Sequence, residues 1–327
     1  MILTVVAGVI TDSSGRVLIT QRRADVPFAG CWEFPGGKLN PQEAPLAGLA
    51  RELTEELGIT LTAAQPLITV HHDNPLTQRR LWLSVYRVTA YHGQPNGCEG
   101  QPLRWCDPQT LDPAEFPPLD RPVIRALQLP NLSLITPEPT GDVAAFVRQL
   151  ERALQTGIQL VQLRAKSLTD GEFAQLAQQV SGMCQQYSAQ LVFNRPLASL
   201  QRGTFNAIAH HGWHLTAADL SQLTQRPTAP ALLGVSCHTA ADLRHAAQVE
   251  ADYALLSPVQ PTRSHPDAQP LGWEQFSQLV ATANLPVYAL GGVGREHLIH
   301  AQQCGAQGIA AIRGLWRDQS QHQATAA

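Results

Sequence analysis

Glu52, Glu55 and Glu56 fall within five residues of one another in Arg51-Glu52-Leu53-Thr54-Glu55-Glu56-Leu57-Gly58. On a helix, Glu52 and Glu56 lie one turn apart on a shared face, with Glu55 beside them. Carboxylates crowded in this way repel one another unless a cation intervenes, and Mg²⁺, a hard ion that prefers oxygen ligands, converts the repulsion into coordination. A plainer description also fits this stretch alone: a solvated acidic helix end with an Arg51–Glu55 ion pair. A second set of groups lies far along the chain. Arg164 and Lys166 are two residues apart and share a face if extended, and Thr262, Arg263 and Ser264 follow later. Gly291-Gly292 and Arg313-Gly314 add glycines whose backbone N–H groups can approach a phosphate closely. Singly these are surface charges and turns, so their meaning depends on the frame that carries them. His238 carries an imidazole, a group that suits proton transfer or a structural bond at a strand end equally well.

For the acidic cluster, the required element is a helix. Asn40 reads as its N-cap, Pro41 as its first residue and Glu43 as a capping-box partner. Gly58 is placed to stop it. Leu46, Leu49, Leu53 and Leu57 form an apolar stripe that can lie against a sheet. The second group needs a repeating frame, and the sequence supplies one. Apolar, β-rich stretches occur at Leu132–Thr136, Leu160–Arg164, Gln190–Phe193, Trp213–Leu215, Leu232–Ser236, Tyr253–Ser257, Val287–Leu290 and Gly308–Ile312. Helical segments such as Val143–Leu154 and Glu172–Gln186 separate them, which predicts a parallel (β/α) barrel, with an open doubly wound sheet as the alternative. In a barrel, Arg164, Lys166, Thr262, Ser264, Gly291, Gly292 and Arg313 gather at the C-terminal ends of the strands and form a phosphate site.

The chain has 327 residues, which suggests two domains. Its formal net charge of -3, from 23 basic and 26 acidic residues, offers no general field for a nucleic-acid backbone. Anionic ligands must therefore be held by local groups and metal. No long apolar run is present, so no membrane partner is expected. Met1–Ile10 reads as a first strand rather than a signal peptide. Six cysteines without a CxxC pair suggest neither disulfides nor zinc and fit a reducing cytoplasm. His71-His72 and His210-His211 are poor metal pairs, since adjacent side chains on a strand point to opposite faces.

The stretch from Gly37 to Ile59 matches the full Nudix pattern G-x5-E-x7-R-E-U-x-E-E-x-G-U, with U apolar, at Gly37, Glu43, Arg51, Glu52, Leu53, Glu55, Glu56, Gly58 and Ile59. Nine specified positions outweigh the plain acidic helix end. With Leu18–Arg23, Trp32-Glu33-Phe34-Pro35-Gly36-Gly37-Lys38 and Glu115-Phe116-Pro117-Pro118, the first 128 or so residues resemble the MutT-type oxidised-nucleotide hydrolases. That resemblance implies an α/β/α sandwich that converts 8-oxo-dGTP to 8-oxo-dGMP and pyrophosphate with Mg²⁺, or with Mn²⁺ as a substitute. It implies that the Gly36 carbonyl, Glu52, Glu56 and Glu99 surround the metal, with Glu55 and Glu43 in support, and that Glu52 activates the attacking water. It further implies nucleotide contacts from Arg22, Gly37, Lys38, Arg79 and Arg80, with Phe34 stacking on the base. Asp120 stands where the pattern has an Asn that meets the base edge. An ionised Asp accepts hydrogen bonds there but only a protonated one donates to a guanine oxygen, so another damaged purine is the alternative substrate.

Residues 132–315 resemble the thiamine-phosphate synthase and TenI family. The resemblance rests on Gln162-Leu-Arg-Ala-Lys166, Asn194, Gly212-Trp-His-Leu215, Gly234-Val-Ser-Cys-His-Thr239, Ser257-Pro-Val-Gln-Pro-Thr262 and Gly291-Gly292. It implies a ligand site built from Gln162, Arg164, Lys166, Asn194, Thr262, Ser264, Gly291, Gly292 and Arg313, with His238 at the position of an acid/base histidine. Two departures stand out. Arg195 replaces an Asp that helps bind magnesium in the synthases, leaving Asp219 as the second carboxylate, and a Lys-rich stretch after Pro-Thr is replaced by Ser264-His265-Pro266. A cation at position 195 repels a divalent ion. The expectation is therefore a Nudix domain over 1–129, a TenI-like (β/α)8 TIM barrel over 132–317 that binds a phosphorylated thiazole-type ligand, and a flexible tail over 318–327. The alternatives are an active synthase or thiazole tautomerase, or a half that senses or binds its ligand without catalysis.

Overall fold

The computed structural model describes residues 2–74, 79–262 and 269–316. Ser264, the side chain of Arg79 and the tail expected over 318–327 lie outside the described residues. The chain forms two compact units, one of residues 1–129 with 281–286, the other of residues 130–280 with 287–327.

In the first unit the strands are β1 (Ile2–Ile10), β2 (Val17–Gln21), β3 (Trp32–Glu33), β4 (Gly36–Lys38), β5 (Thr60–Asn74), β6 (Arg79–His92) and β7 (Leu103–Cys106), with helices α1 (Pro45–Leu57) and α2 (Arg121–Gln128). A mixed sheet runs in the order β4-β1-β6-β5, with β1 parallel to β6 and the other pairs antiparallel. A second sheet has the order β3-β2-β7. Alternation along β1 divides the core, as a strand buried on both faces requires. Val6 and Ile10 pack with Leu49, Leu53 and Leu57 of α1. Ala7 and Val9 join Phe34, Phe116 and the α2 residues Val123, Ile124 and Ala126 on the opposite side. The unit is an α/β/α sandwich.

Two features of α1 differ from the sequence reading. The helix begins at Pro45 with Ala44 as N-cap, not at Pro41 after Asn40. The Asn40–Glu43 bond does form, with the Asn40 N–H donating to Glu43 Oε2 at 2.8 Å, but it closes a separate turn. Leu46 is 47% exposed, so the buried stripe consists of Leu49, Leu53 and Leu57. Gly58 ends the helix in the left-handed conformation, φ 66°, and its N–H bonds to the Leu53 and Thr54 carbonyls.

In the second unit β8 (Leu132–Ile135), β9 (Leu160–Arg164), β10 (Gln190–Asn194), β11 (Gly212–Leu215), β12 (Leu232–Cys237), β13 (Tyr253–Leu256), β14 (Val287–Leu290) and β15 (Gly308–Ala311) close into a parallel barrel. Helices α3 (Val143–Leu154), α4 (Asp170–Gln186), α5 (Leu197–Gln201), α6 (Ala217–Leu220), α7 (Ala240–Gln248), α8 (Gly272–Val280), α9 (Leu298–Gln303) and α10 (Arg313–Trp316) alternate with the strands. This is a (β/α)8 TIM barrel, and the open-sheet alternative is excluded by the β15–β8 pairing that closes the ring. Tyr253 and Tyr288 are fully buried, edge to face at 5.6 Å, and His214 lies buried beside Tyr253. A side chain at Gly234 would collide with the Tyr253 ring at 2.1 Å, so the strand pair is closed over an aromatic plug. No helix among the described residues is long and apolar enough to cross a membrane.

Because Leu53 is fully buried between α1 and β1, Leu53→Ala is expected to lower unfolding free energy by about 2–5 kcal/mol. Chemical denaturation followed by circular dichroism reads this directly, and a loss below about 1 kcal/mol contradicts the packing described.

Candidate active site and barrel mouth

Three carboxylates of the first unit meet at a single guanidinium. Arg51 Nη2 and Nε donate to Glu43 at 2.9 Å each, and Nη1 donates to Glu52 at 2.8 Å and Glu55 at 3.1 Å. Nη2 also reaches the Lys38 carbonyl at 3.0 Å, which ties the end of β4 to α1. The hydrogen bonds from Arg51 hold the Glu43 carboxyl down to about 2. Sequence reading gave Arg51 one partner, Glu55. The further bonds to Glu43 and Glu52 require the β4–α1 turn to fold back, a tertiary feature that helix spacing does not encode.

Glu56 has a different environment. Its Oε2 accepts the Gly36 N–H at 3.0 Å. Burial, together with the negative charges of Glu33, Glu52 and Glu99, pushes its carboxyl up to about 8 despite that bond. Glu52 lies directly against Gly37, where an added Cβ would sit 2.4 Å from the carboxylate. Any side chain at 37 would expel it. Glu99 is exposed, and its nearest described cation is Arg23 at 3.5 Å. Among the described residues, no three carboxylate, imidazole or thiol groups already converge tightly enough to hold a metal ion. The donor chemistry nevertheless fits a hard divalent cation. Glu52, Glu55, Glu56 and Glu99 offer only oxygen, and the buried Glu56 has the negative charges of Glu33, Glu52 and Glu99 near it. Binding a cation there means drawing Glu52 and Glu55 from Arg51.

Beside these acids lies a second buried group. Arg22 pairs with Glu33 and donates from Nε to the Pro27 carbonyl at 2.8 Å. Burial pushes the Glu33 carboxyl up against the effect of Arg22. Asp120 heads α2, makes no capping bond and is 7% exposed. Burial, then repulsion from Glu33, raises its carboxyl to about 7, with Arg22 opposing. Glu33 was legible only as part of a longer motif, and nothing local in the sequence marks it as a neighbour of Asp120. Phe34 is a correction: it is 3% exposed and stacked on Phe116 at 5.8 Å, so it packs the core rather than presenting a free face to a base. Lys38 is exposed at the end of β4, and Arg80 lies exposed on β6.

At the C-terminal ends of the barrel strands, Gln162 is buried with its Oε1 lacking a hydrogen-bond partner. Asn194 is buried and donates to the His214 carbonyl at 2.7 Å. Gly291 and Gly292 both have positive φ, 95° and 68°, and pack on Pro258 and Pro261 next to Thr262. Arg313 is exposed at the start of α10. His238 is exposed, and its Nδ1 lies 2.8 Å from the Ser257 carbonyl. A carbonyl only accepts, so Nδ1 carries the proton and Nε2 of the neutral ring keeps its lone pair. Arg195, expected to repel a metal at the strand end, is 8% exposed and engaged elsewhere. It donates to the Ala165 and Leu168 carbonyls at 2.9 and 3.0 Å and to Asp170 at 2.6 Å, and lies over the Phe173 ring. Asp219 accepts from the Leu197 N–H and the Thr216 hydroxyl, so it too is held by its neighbours. A cavity of about 420 Å³ lies among the segments that enter β11 and β12, at the opposite end of the barrel from these groups. Its one cation, Arg226, is paired with Asp252 at 2.7 Å.

Comparison with known proteins follows the same division. The family described as NUDIX domain matches residues 6–126, and that described as thiamine monophosphate synthase matches residues 132–315. Escherichia coli 8-oxo-dGTP diphosphatase is 36% identical over 126 residues, covering 38% of this chain and 96% of the relative. The CTP pyrophosphohydrolase of the same organism is 36% identical over 124 residues, 38% of this chain and 90% of the relative. Methanococcus vannielii thiamine-phosphate synthase is 31% identical over 170 residues, 52% of this chain and 80% of the relative. The first unit is thus a hydrolase. The chain belongs to the Nudix family in that unit and to the thiamine monophosphate synthase family in its barrel.

The contact between Gly37 and Glu52 gives a direct check. Gly37→Ala is expected to cut kcat/KM on a nucleoside triphosphate by at least about tenfold, with the melting temperature little changed. Unaltered turnover would remove Glu52 from the site.

Proposed function

We propose that residues 1–129 form a Mg²⁺-dependent nucleoside triphosphate pyrophosphohydrolase whose preferred substrate is 8-oxo-dGTP, released as 8-oxo-dGMP and pyrophosphate. The observation that carries this reading is the gathering of acids on one face of α1, with Glu52 pressed against Gly37, Glu56 Oε2 accepting the Gly36 N–H at 3.0 Å, and Arg51 holding Glu52 and Glu55. Glu52, Glu55, Glu56, Glu99 and the Gly36 carbonyl would hold the cation. When bound, it neutralises phosphate charge and makes a water molecule more acidic. Glu52, pressed against Gly37, orients the water and takes its proton as the bond to the pyrophosphate leaving group breaks. Arg22, Gly37, Lys38 and Arg80 contact the nucleotide. Replacing Glu52 by Gln is expected to lower kcat by about two orders of magnitude or more while the fold survives. The assay detects pyrophosphate and orthophosphate separately. A variant with full turnover, or equal wild-type rates on 8-oxo-dGTP, dGTP and an oxidised dATP, would sink the proposal.

Asp120 supports a graded base preference. With its carboxyl raised to about 7, the protonated form donates to a purine carbonyl, and the ionised form accepts from an exocyclic amine, as cytosine and adenine bear. The protonated state prevails below that value and is lost above it. The ratio of kcat/KM for 8-oxo-dGTP to that for CTP is therefore expected to fall as pH rises from about 6 to about 8. Asp120→Asn should make the ratio insensitive to pH, and a flat ratio in the wild type would remove Asp120 from base recognition.

For the barrel, residues 132–317, we infer a TenI-like site that binds a phosphorylated thiazole-type ligand. Gln162, Asn194, Thr262, Gly291, Gly292 and Arg313 lie around it, and His238 presents Nε2 as a proton acceptor. The internal bonding of Arg195 and Asp219 favours tautomerisation over synthesis, and the lone pair left on His238 supplies a proton acceptor for either reaction.

A further inference from the structure

Glu138, just past β8, is gripped by four donors at the barrel mouth. Its Oε1 accepts from Arg164 Nη1 and from the Lys166 N–H, each at 3.0 Å. Its Oε2 accepts from the Ser167 N–H at 3.2 Å and the Ser167 hydroxyl at 2.9 Å. Two successive peptide N–H groups, a hydroxyl and a guanidinium converging on one anion form the arrangement that binds phosphoryl oxygens. Partial burial tends to raise the Glu138 carboxyl, but these donors outweigh it and hold it below the ordinary range. The occupant is therefore an ionised carboxylate supplied by the chain itself.

We propose that Glu138 is a resident anion in this cradle, which restricts the barrel to ligands bearing one phosphate and excludes a diphosphate from the Arg164–Ser167 loop. The inference rests on the phosphorylated-ligand reading above. A single phosphate seats on the Gly291–Gly292 side and leaves Glu138 in place. The second phosphoryl group of a diphosphate would need the donors that Glu138 already holds, and its charge would meet a carboxylate instead of a cation. Among the described residues, the guanidiniums that bond to this loop or to Glu138 are already paired, Arg164 with Glu138 and Arg195 with Asp170.

The test is isothermal titration calorimetry on the full chain with inorganic phosphate and inorganic pyrophosphate, in EDTA so that metal-dependent binding at the Glu52–Glu56 face does not contribute. Glu138→Ala and Glu138→Gln are expected to bind pyrophosphate at least about tenfold more tightly than the wild type. Adding Arg164→Ala to either variant should abolish the gain, which locates it in the cradle. If Glu138→Ala fails to fold, Glu138→Gln decides, since it keeps the side-chain size. Folded variants that bind pyrophosphate no more tightly than the wild type, or a gain that survives Arg164→Ala, overturn the proposal. Wild-type protein that binds no inorganic phosphate would overturn the phosphorylated-ligand reading instead, and the pyrophosphate comparison separates the two failures.

Discussion

Arg51 binds Glu43, Glu52 and Glu55 at once and clasps the Lys38 carbonyl, and the rest of the first unit's chemistry depends on this arrangement. Individual surface ion pairs contribute little, but a half-buried guanidinium shared among several carboxylates fixes geometry as well as charge. It keeps the acids gathered on the face of α1 where they would otherwise repel each other apart. Glu56 instead accepts the Gly36 N–H, and burial together with the acids around it pushes its carboxyl up to about 8. The helix thus carries both compensated and uncompensated acids, and the imbalance is local to the place where polyphosphate and metal chemistry is expected. Packing supports this from beneath: Leu49, Leu53 and Leu57 anchor the helix, so the acids sit on a rigid element.

Much of this was readable in the residues. Eight strand segments of the barrel were visible as apolar stretches, because a parallel strand buried on both faces reads as a continuous β-branched and leucine-rich run. The acidic helix and its glycine stop were visible because spacing and capping chemistry are local. The start of α1 was misplaced because Asn40, Pro41 and Glu43 satisfy a helix start equally well in an isolated turn, and only the tertiary path shows that Ala44 precedes the first helical residue. Leu46 has the period of the stripe but lies on the first turn, where the sheet no longer covers it. Phe34 could not be assigned from type alone, since an aromatic residue serves a core or a base equally well. Its stacking on Phe116 decides for the core.

Charged groups show the same limit more sharply. Arg195 reads in sequence as a cation at a metal position, yet its guanidinium turns to two loop carbonyls and Asp170, serving as a brace for the β9–α4 connection. Glu138 carries no sequence signal at all, because its partners are 26 to 29 residues away and two of its bonds are to backbone. Long-range pairing of this kind follows from barrel closure, in which adjacent strands bring distant residues side by side.

The aromatic plug of the barrel has a geometric consequence. Tyr253 fills the space that a side chain at 234 would need, and Tyr288 meets it edge to face above the carbonyl of Pro130. The interior therefore offers no axial passage, and a ligand meets a floor, not a tunnel. Anything that binds at the strand ends must enter and leave through the same rim, so the loops that follow the strands govern access to it.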